Sequence, residues 1–201
     1  MERIELFAHY PELTAQKSAL EQARSLLIKT YQDGGKLLLC GNGGSAADCD
    51  HIAGELLKGF LSKRPLGDDL TSALGEELAT DLQMGLPAIS LPSQGAIISA
   101  FCNDVNAETV YAQLVLALAK PGDVLWCIST SGNSKNCVHA ARVAKALGVR
   151  VIAMVGKKEC ALDAYADVSL HAPAQDTYRV QEYHLPMYHW LCAEVENSFF
   201  G

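Results

Sequence analysis

No run of apolar residues in this chain approaches the roughly 18 that a membrane-spanning helix requires, so no spanning segment is predicted. The opening stretch, Met1 to Tyr10, carries acids and lacks an apolar core run, and no secretory leader is expected there. Cysteine is present but shows no pairing pattern. Cys40, Cys49, Cys102, Cys127, Cys137, Cys160 and Cys192 are scattered, odd in number and never spaced C-x-x-C. That argues against a zinc ribbon, a dithiol redox motif or a disulfide scaffold. Positive charge is scarce: 16 Lys and Arg face 23 Asp and Glu, for a net charge of −7. Such a surface suits nucleic acid poorly, because that binding rests on neutralising phosphates. Any anionic ligand must be held by local donors against the overall field. These absences predict a reduced, soluble, cytoplasmic protein that binds neither nucleic acid nor membrane.

What is present is a globular composition, 49% apolar and 19% charged over 201 residues. That length suits one domain with a real core, and residues 1–201 are read as a single domain. Residues 11–33 place Leu20, Ala23, Leu26, Leu27 and Tyr31 at helical spacing, and Asp33-Gly34-Gly35 ends that helix. Lys36 to Cys40 is a short apolar run of the kind buried on both sheet faces. It leads into Gly41-Asn42-Gly43-Gly44-Ser45 and then a helical pattern from Ala46 to about Phe60. The same grammar recurs: Asp123 to Ile128 as strand, Ser129 to Ser134 as loop, Asn136 to Leu147 as helix. Pro87 to Leu91, Val149 to Val155 and Asp167 to His171 read as three further strands, with helical stretches near 94–101 and 106–119. This alternation predicts an α/β fold, a doubly wound and mostly parallel five-stranded sheet between two helical layers. The acidic stretch 64–86 does not read as core. About Val180 to Phe199 reads as a final helix that Pro186 should kink or begin.

Two loops stand out, each at the C-terminal end of a strand and the start of a helix, the edge where ligands bind in an open α/β sheet. Free backbone N–H groups and the helix dipole there suit a phosphate. Ser129, Thr130, Ser131 and Ser134 add hydroxyl donors. Gly/Ser-rich loops of this kind also serve only as helix caps; two on one sheet edge favour a phosphorylated small molecule. Neither loop matches G-x-x-x-x-G-K-[ST], and Gly41-x-Gly43 lacks the third glycine of a dinucleotide fingerprint. His51 and Glu55 share a helix face four residues apart, and Gln181, Glu182, His184 and His189 fall close together near the C-terminus. One reading is a metal or proton-transfer site. The other is a solvated surface pair and a hydrogen-bonded core histidine. His9, His139 and His171 have no such company.

The runs CGNGGSAADCDH (40–51), FCND (101–104), CISTSGNS (127–134) and VQEYHLPMYH (180–189) resemble those of the sugar isomerase (SIS) domain phosphoheptose isomerases, in consistent order from about residue 12 to 198. The resemblance implies a three-layer αβα SIS fold with extra terminal helices. It implies interconversion of sedoheptulose 7-phosphate and a glycero-manno-heptose 7-phosphate, a homotetramer, and one zinc per subunit. Carried over by position, Asn42, Gly43, Gly44, Ser45, Asn103 and Asp104 would touch the sugar. Ser129, Thr130, Ser131 and Ser134 would hold the phosphate. His51, Glu55, Gln181 and His189 would bind zinc, and Glu55 and His189 would be the acid–base pair. Three departures stand against the pattern: the longer segment 64–86, Pro186 within the last helix, and Tyr178 where typical members carry an acid. A non-catalytic SIS regulator of the kind that binds the replication initiator, or an isomerase of another phosphosugar, are the competing readings.

Overall fold

Five short runs rich in Leu, Val and Ile form the sheet: β1 (Leu37–Gly41), β2 (Ala88–Ser90), β3 (Val124–Ser129), β4 (Arg150–Val155) and β5 (Val168–His171). The structure, a computed structural model, describes residues 4–201; Met1, Glu2 and Arg3 of the single-domain reading lie outside it. All pairings are parallel, in the order β2-β1-β3-β4-β5. Every residue of β1 and β3 is buried, as strands covered on both faces must be. The period of two sorts their side chains. Leu37, Leu39, Val124, Trp126, Ile152 and Met154 enter one core layer, whereas Leu38, Cys40, Leu125, Cys127, Val151 and Ala153 enter the other.

The first layer holds α1 (Leu6–His9), α2 (Lys17–Gln32), α3 (Gly44–Leu57) and α9 (Thr177–Phe200); the second holds α6 (Gly95–Phe101), α7 (Val110–Leu118) and α8 (Lys135–Ala146). Helix starts and ends differ by a few residues from the sequence reading, and α1 was not foreseen. Helix α9 runs unbroken through buried Pro186, so that proline neither ends the helix nor marks its start. Its missing N–H costs one intrahelical bond, and burial among Met187, Tyr188 and Trp190 holds the segment in place. All seven cysteines are free thiols. No described helix is long and apolar enough to cross a membrane.

Segment 64–86 forms α4 (Asp68–Leu74) and α5 (Glu76–Asp81), neither of which buries a residue. Its two end residues are the exceptions, Leu86 in the first core layer and Arg64. Arg64 is fully buried and pairs with fully buried Glu196 at 2.9 Å. Its guanidinium also donates to the carbonyls of Leu56 (2.6 Å) and Glu55 (3.0 Å), which belong to the last turn of α3 and lack helical donors. The Glu196 carboxylate accepts from the N–H groups of Phe60 and Leu61. Removing one partner of such a pair leaves the other charged and dry, so Glu196→Ala is expected to cost about 3–5 kcal/mol in urea unfolding. Glu196→Gln keeps an acceptor oxygen and should cost less.

His184 is fully buried, and its Nε2–H donates to the Val155 carbonyl. Burial pushes its pKa down from 6.5 to about 4. The unfolded chain therefore takes up a proton below pH 6.5 that the fold refuses. This contribution is intact above pH 6.5 and is lost as pH falls toward about 4, about 3 kcal/mol in all. Urea midpoints measured across that range should fall with pH in the wild type and fall less in His184→Gln.

Candidate active site

The sheet order reverses between β1 and β3, and in this strand order ligands sit in the crevice beyond that switch point. Register sets the two loops level: Gly41 lies opposite Ile128. After β1 the chain turns through Gly43, whose φ of +57° only glycine adopts readily, and α3 begins. No side chain caps α3 there, and none caps α8 at Ser134. In α3 the Ser45 and Ala46 N–H groups already bond the carbonyls of Asn42 and Gly43, and in α8 the Cys137 N–H bonds Asn136 Oδ1, which leaves the N–H groups of Gly44, Lys135 and Asn136 for an anion. Ser45 is buried in the first turn of α3.

The second loop is braced from within. The Ser129 hydroxyl lies 3.0 Å from that of Ser134 and accepts from the Gly132 N–H, so Ser129 is turned inward as a strut. Ser131 accepts from the Asn133 N–H. Thr130 and Ser131 line a cleft of about 390 Å³ together with Asn133, Gly156, Lys157, Lys158, Glu159, Gln175 and Asp176. The two lysines bring positive charge to an acidic protein. A second cleft of about 350 Å³ joins Asn42, Ser134, Lys135, Asn136, Ala107 and Glu108. There Asn42 and Asn136 exchange amide hydrogen bonds of 2.9 and 2.8 Å, tying the first loop to α8. A surface depression of about 830 Å³ along the outer face of α2 touches none of the candidate residues.

The third group lies between α3 and α9. His51 Nε2 is 3.1 Å from Glu55 Oε1 and 3.5 Å from His189 Nε2. The His51 and His189 rings meet edge to face at 5.0 Å, and Phe60 flanks His189. Glu55 Oε2 is buried without a hydrogen-bond partner, the Lys58 ammonium standing 3.6 Å away. Burial, and then His51, hold the His189 pKa below its ordinary value. Gln181 lies elsewhere: its amide is pressed against Gly44 at the start of α3. Two turns of α9 separate it from His189, and no recorded hydrogen bond joins it to the other three. Among the described residues, no group of three or more His, Cys, Asp or Glu is arranged as a metal centre; His51 contacts both Glu55 and His189. Asn103 and Asp104 sit on the exposed π-helical turn after α6, bonded to each other at 2.8 Å and to none of the loop residues.

Residues 9–83 and 78–156 match the family model of the SIS domain. The phosphoheptose isomerase of Trichlorobacter lovleyi is 41% identical over 190 residues, covering 94% of this chain and 86% of that protein. Among solved structures, the phosphoheptose isomerase of Francisella tularensis superposes with a TM-score of 0.76 at 29% identity, covering 92% of this chain and 88% of that one. That of Neisseria gonorrhoeae gives 0.74 at 31% identity, covering 94% and 96%. The chain belongs to the SIS-domain phosphoheptose isomerase family.

For this phosphoheptose isomerase family member, reading the sequence missed Asn136, Lys157, Lys158 and Tyr188 near the candidate site. The lysines carried a signal, since Gly156-Lys157-Lys158 follows a strand at the same sheet edge as the two loops. Asn136 and Tyr188 carried none, because their role depends on partners distant in sequence. The Gly44–Gln181 contact yields a test. A Cβ at residue 44 would collide with the Gln181 amide, while alanine is otherwise the better helix former. Gly44→Ala should lower the melting temperature in the wild type and raise it in a Gln181→Ala background. The double-mutant coupling should be at least about 0.5 kcal/mol.

Proposed function

We propose that this chain, read as a single SIS domain, is an aldose–ketose isomerase. Its reaction interconverts sedoheptulose 7-phosphate and D-glycero-D-manno-heptose 7-phosphate through an enediolate. The observation that carries the reading is the contact among His51, Glu55 and His189 in a chain whose relatives, over 94% of its length, are named phosphoheptose isomerases. Phosphate binding falls to the first N–H groups of α3 and α8 with Thr130, Ser131 and Ser134, and Ser129 braces them. The sugar falls to Asn42, Gly43, Gly44, Ser45 and Gln181, and the family pattern adds Asn103 and Asp104 of the exposed π-helical turn.

In the ketose-to-aldose direction, a base removes a proton from C1 and the electron pair forms the C1–C2 double bond. The carbonyl oxygen at C2 becomes the enediolate oxygen. Proton return to C2, with transfer of the O1 proton to O2, gives the aldose with a carbonyl at C1 and a hydroxyl at C2. Glu55 suits the carbon acid, because its buried Oε2 accepts no hydrogen bond, the Lys58 ammonium standing 3.6 Å away. His189, with its lowered pKa, is a neutral imidazole near neutrality and suits proton movement between O1 and O2. The donor set of His51, Glu55 and His189, with an orphaned carboxylate oxygen, fits a borderline cation such as zinc. Gln181 is the fourth residue the family pattern assigns to it. Zinc, when bound, supplies a positive charge that stabilises a developing oxyanion. The homotetramer implied by the family is part of the same reading, supported by the exposed Leu57, Leu61, Leu70 and Leu74.

The test is incubation with sedoheptulose 7-phosphate in D₂O, followed by NMR, with zinc and then with a chelator. Aldose phosphate carrying deuterium at C2 is expected, with rates at least about 100-fold lower in Glu55→Gln and in His189→Ala. A folded, zinc-loaded protein that neither converts nor exchanges would overturn the isomerase reading in favour of a phosphosugar-binding regulator.

A further inference from the structure

His51 is reached from two sides. Its Nε2 faces Glu55 and His189; its Nδ1 lies 2.9 Å from the hydroxyl of Tyr188, which α9 buries to 1% exposure. That same hydroxyl lies 3.4 Å from Asp48 Oδ1, one turn before His51 on α3. The other oxygen of Asp48 is buried with no partner.

A phenol has one proton, and two acceptors compete for it. If Tyr188 donates to Nδ1, the Asp48 carboxylate is left buried with no donor at either oxygen, which costs the desolvation of a charged group. His51 must then carry its own proton on Nε2. If Tyr188 donates to Asp48, the phenol oxygen accepts from His51 Nδ1–H, Asp48 Oδ1 gains a donor while Oδ2 still has none, and Nε2 is left as a bare lone pair beside Glu55 Oε1, which then has no donor from His51. The second arrangement is the cheaper one, because Glu55 keeps the Lys58 ammonium 3.6 Å away whereas no Lys or Arg among the described residues pairs with Asp48.

We infer that Asp48 and Tyr188 form a positioning relay that fixes His51 as the Nδ1–H tautomer and aims its Nε2 lone pair at Glu55 and His189. The relay deepens the proposed function, resting on its reading of this site as one that binds a cation. It makes Tyr188 and Asp48 positioning residues that act only through His51. A bare nitrogen, a carboxylate and a second imidazole at these distances ask for a positive charge among them, so the relay sets the affinity of the site for a divalent cation.

The ring nitrogens report the tautomer directly. The full chain, labelled with ¹⁵N and freed of metal with EDTA, is examined by long-range ¹H–¹⁵N correlation, the His51 signals being identified by their loss in His51→Gln. The expected wild-type result is a protonated Nδ1 and an unprotonated Nε2. Asp48→Asn keeps the side-chain volume but can donate to the phenol, which then donates to Nδ1. Its expected result is a shift toward Nε2–H and Zn²⁺ binding weakened about 10- to 100-fold by competition with a chelating dye. Tyr188→Phe should lose the tautomer preference and weaken Zn²⁺ by a similar factor. If Tyr188→Phe does not fold, Asp48→Asn carries the test alone. The relay is overturned if the wild type shows Nε2–H, or if folded Asp48→Asn keeps both the wild-type tautomer and Zn²⁺ affinity within twofold. Neither readout uses turnover, so an inactive protein would sink the isomerase reading without touching this one.

Discussion

A guanidinium held away from water must find its partners inside the protein, and Arg64 finds them on two helices at once. Glu196 supplies the counter-charge from α9, and the carbonyls of Glu55 and Leu56 supply acceptors from the end of α3. The bond is therefore also a C-terminal cap, with a positive charge where the dipole of α3 calls for one. It sets the register of the two helices. His189 lies two turns before Glu196 and shares its face, and it meets His51, one turn before Glu55. Gln181, two turns earlier again, meets Gly44 at the start of α3. The three contacts run in parallel along both helices, and the buried pair closes the row. Because the pair is dry, it adds little net stability compared with an apolar core; what it adds is a single allowed alignment.

The charge balance points the same way. A protein of net charge −7 repels anions at long range. At one edge of the sheet the first N–H groups of two helices, hydroxyls braced by Ser129, and Lys157 and Lys158, which share their cleft with Glu159 and Asp176, supply donors against that field. These donors are local and mostly dipoles. In the proposed reading they hold a phosphate at contact while the surface as a whole stays acidic.

The strands, the layers and the two loops were legible because each is written in a short stretch. β1 and β3 are continuous apolar runs, and the glycines and serines that follow them are local turn chemistry. The parallel order was legible from the alternation of strand and helix. What was hidden depends on pairing across the chain. Arg64 looked like a surface residue beside an acidic segment, and only Glu196, 132 positions away, explains its burial. Pro186 looked like a break. A helix buried along one side tolerates the loss of one backbone bond, since tertiary packing outweighs local preference. The spacing of His51 and Glu55 was equally that of a solvated surface pair. His189, brought in by α9, is what distinguishes the two readings.

The polar groups around His51 also weigh on whether such a site only binds or also reacts. A phosphate and a row of hydroxyls can be held by loops alone, with every buried group satisfied. Among the described residues, five buried side-chain polar atoms lack a partner, and two of them, Asp48 Oδ2 and Glu55 Oε2, flank His51. Buried orphans are costly, and folds keep them where function needs them. A carboxylate oxygen without a hydrogen bond, in the same cluster as His189 with its lowered pKa, is a poor arrangement for stability and a good one for moving a proton. A regulator that merely senses a phosphosugar gains nothing from it, whereas an isomerase needs both groups free at the same place.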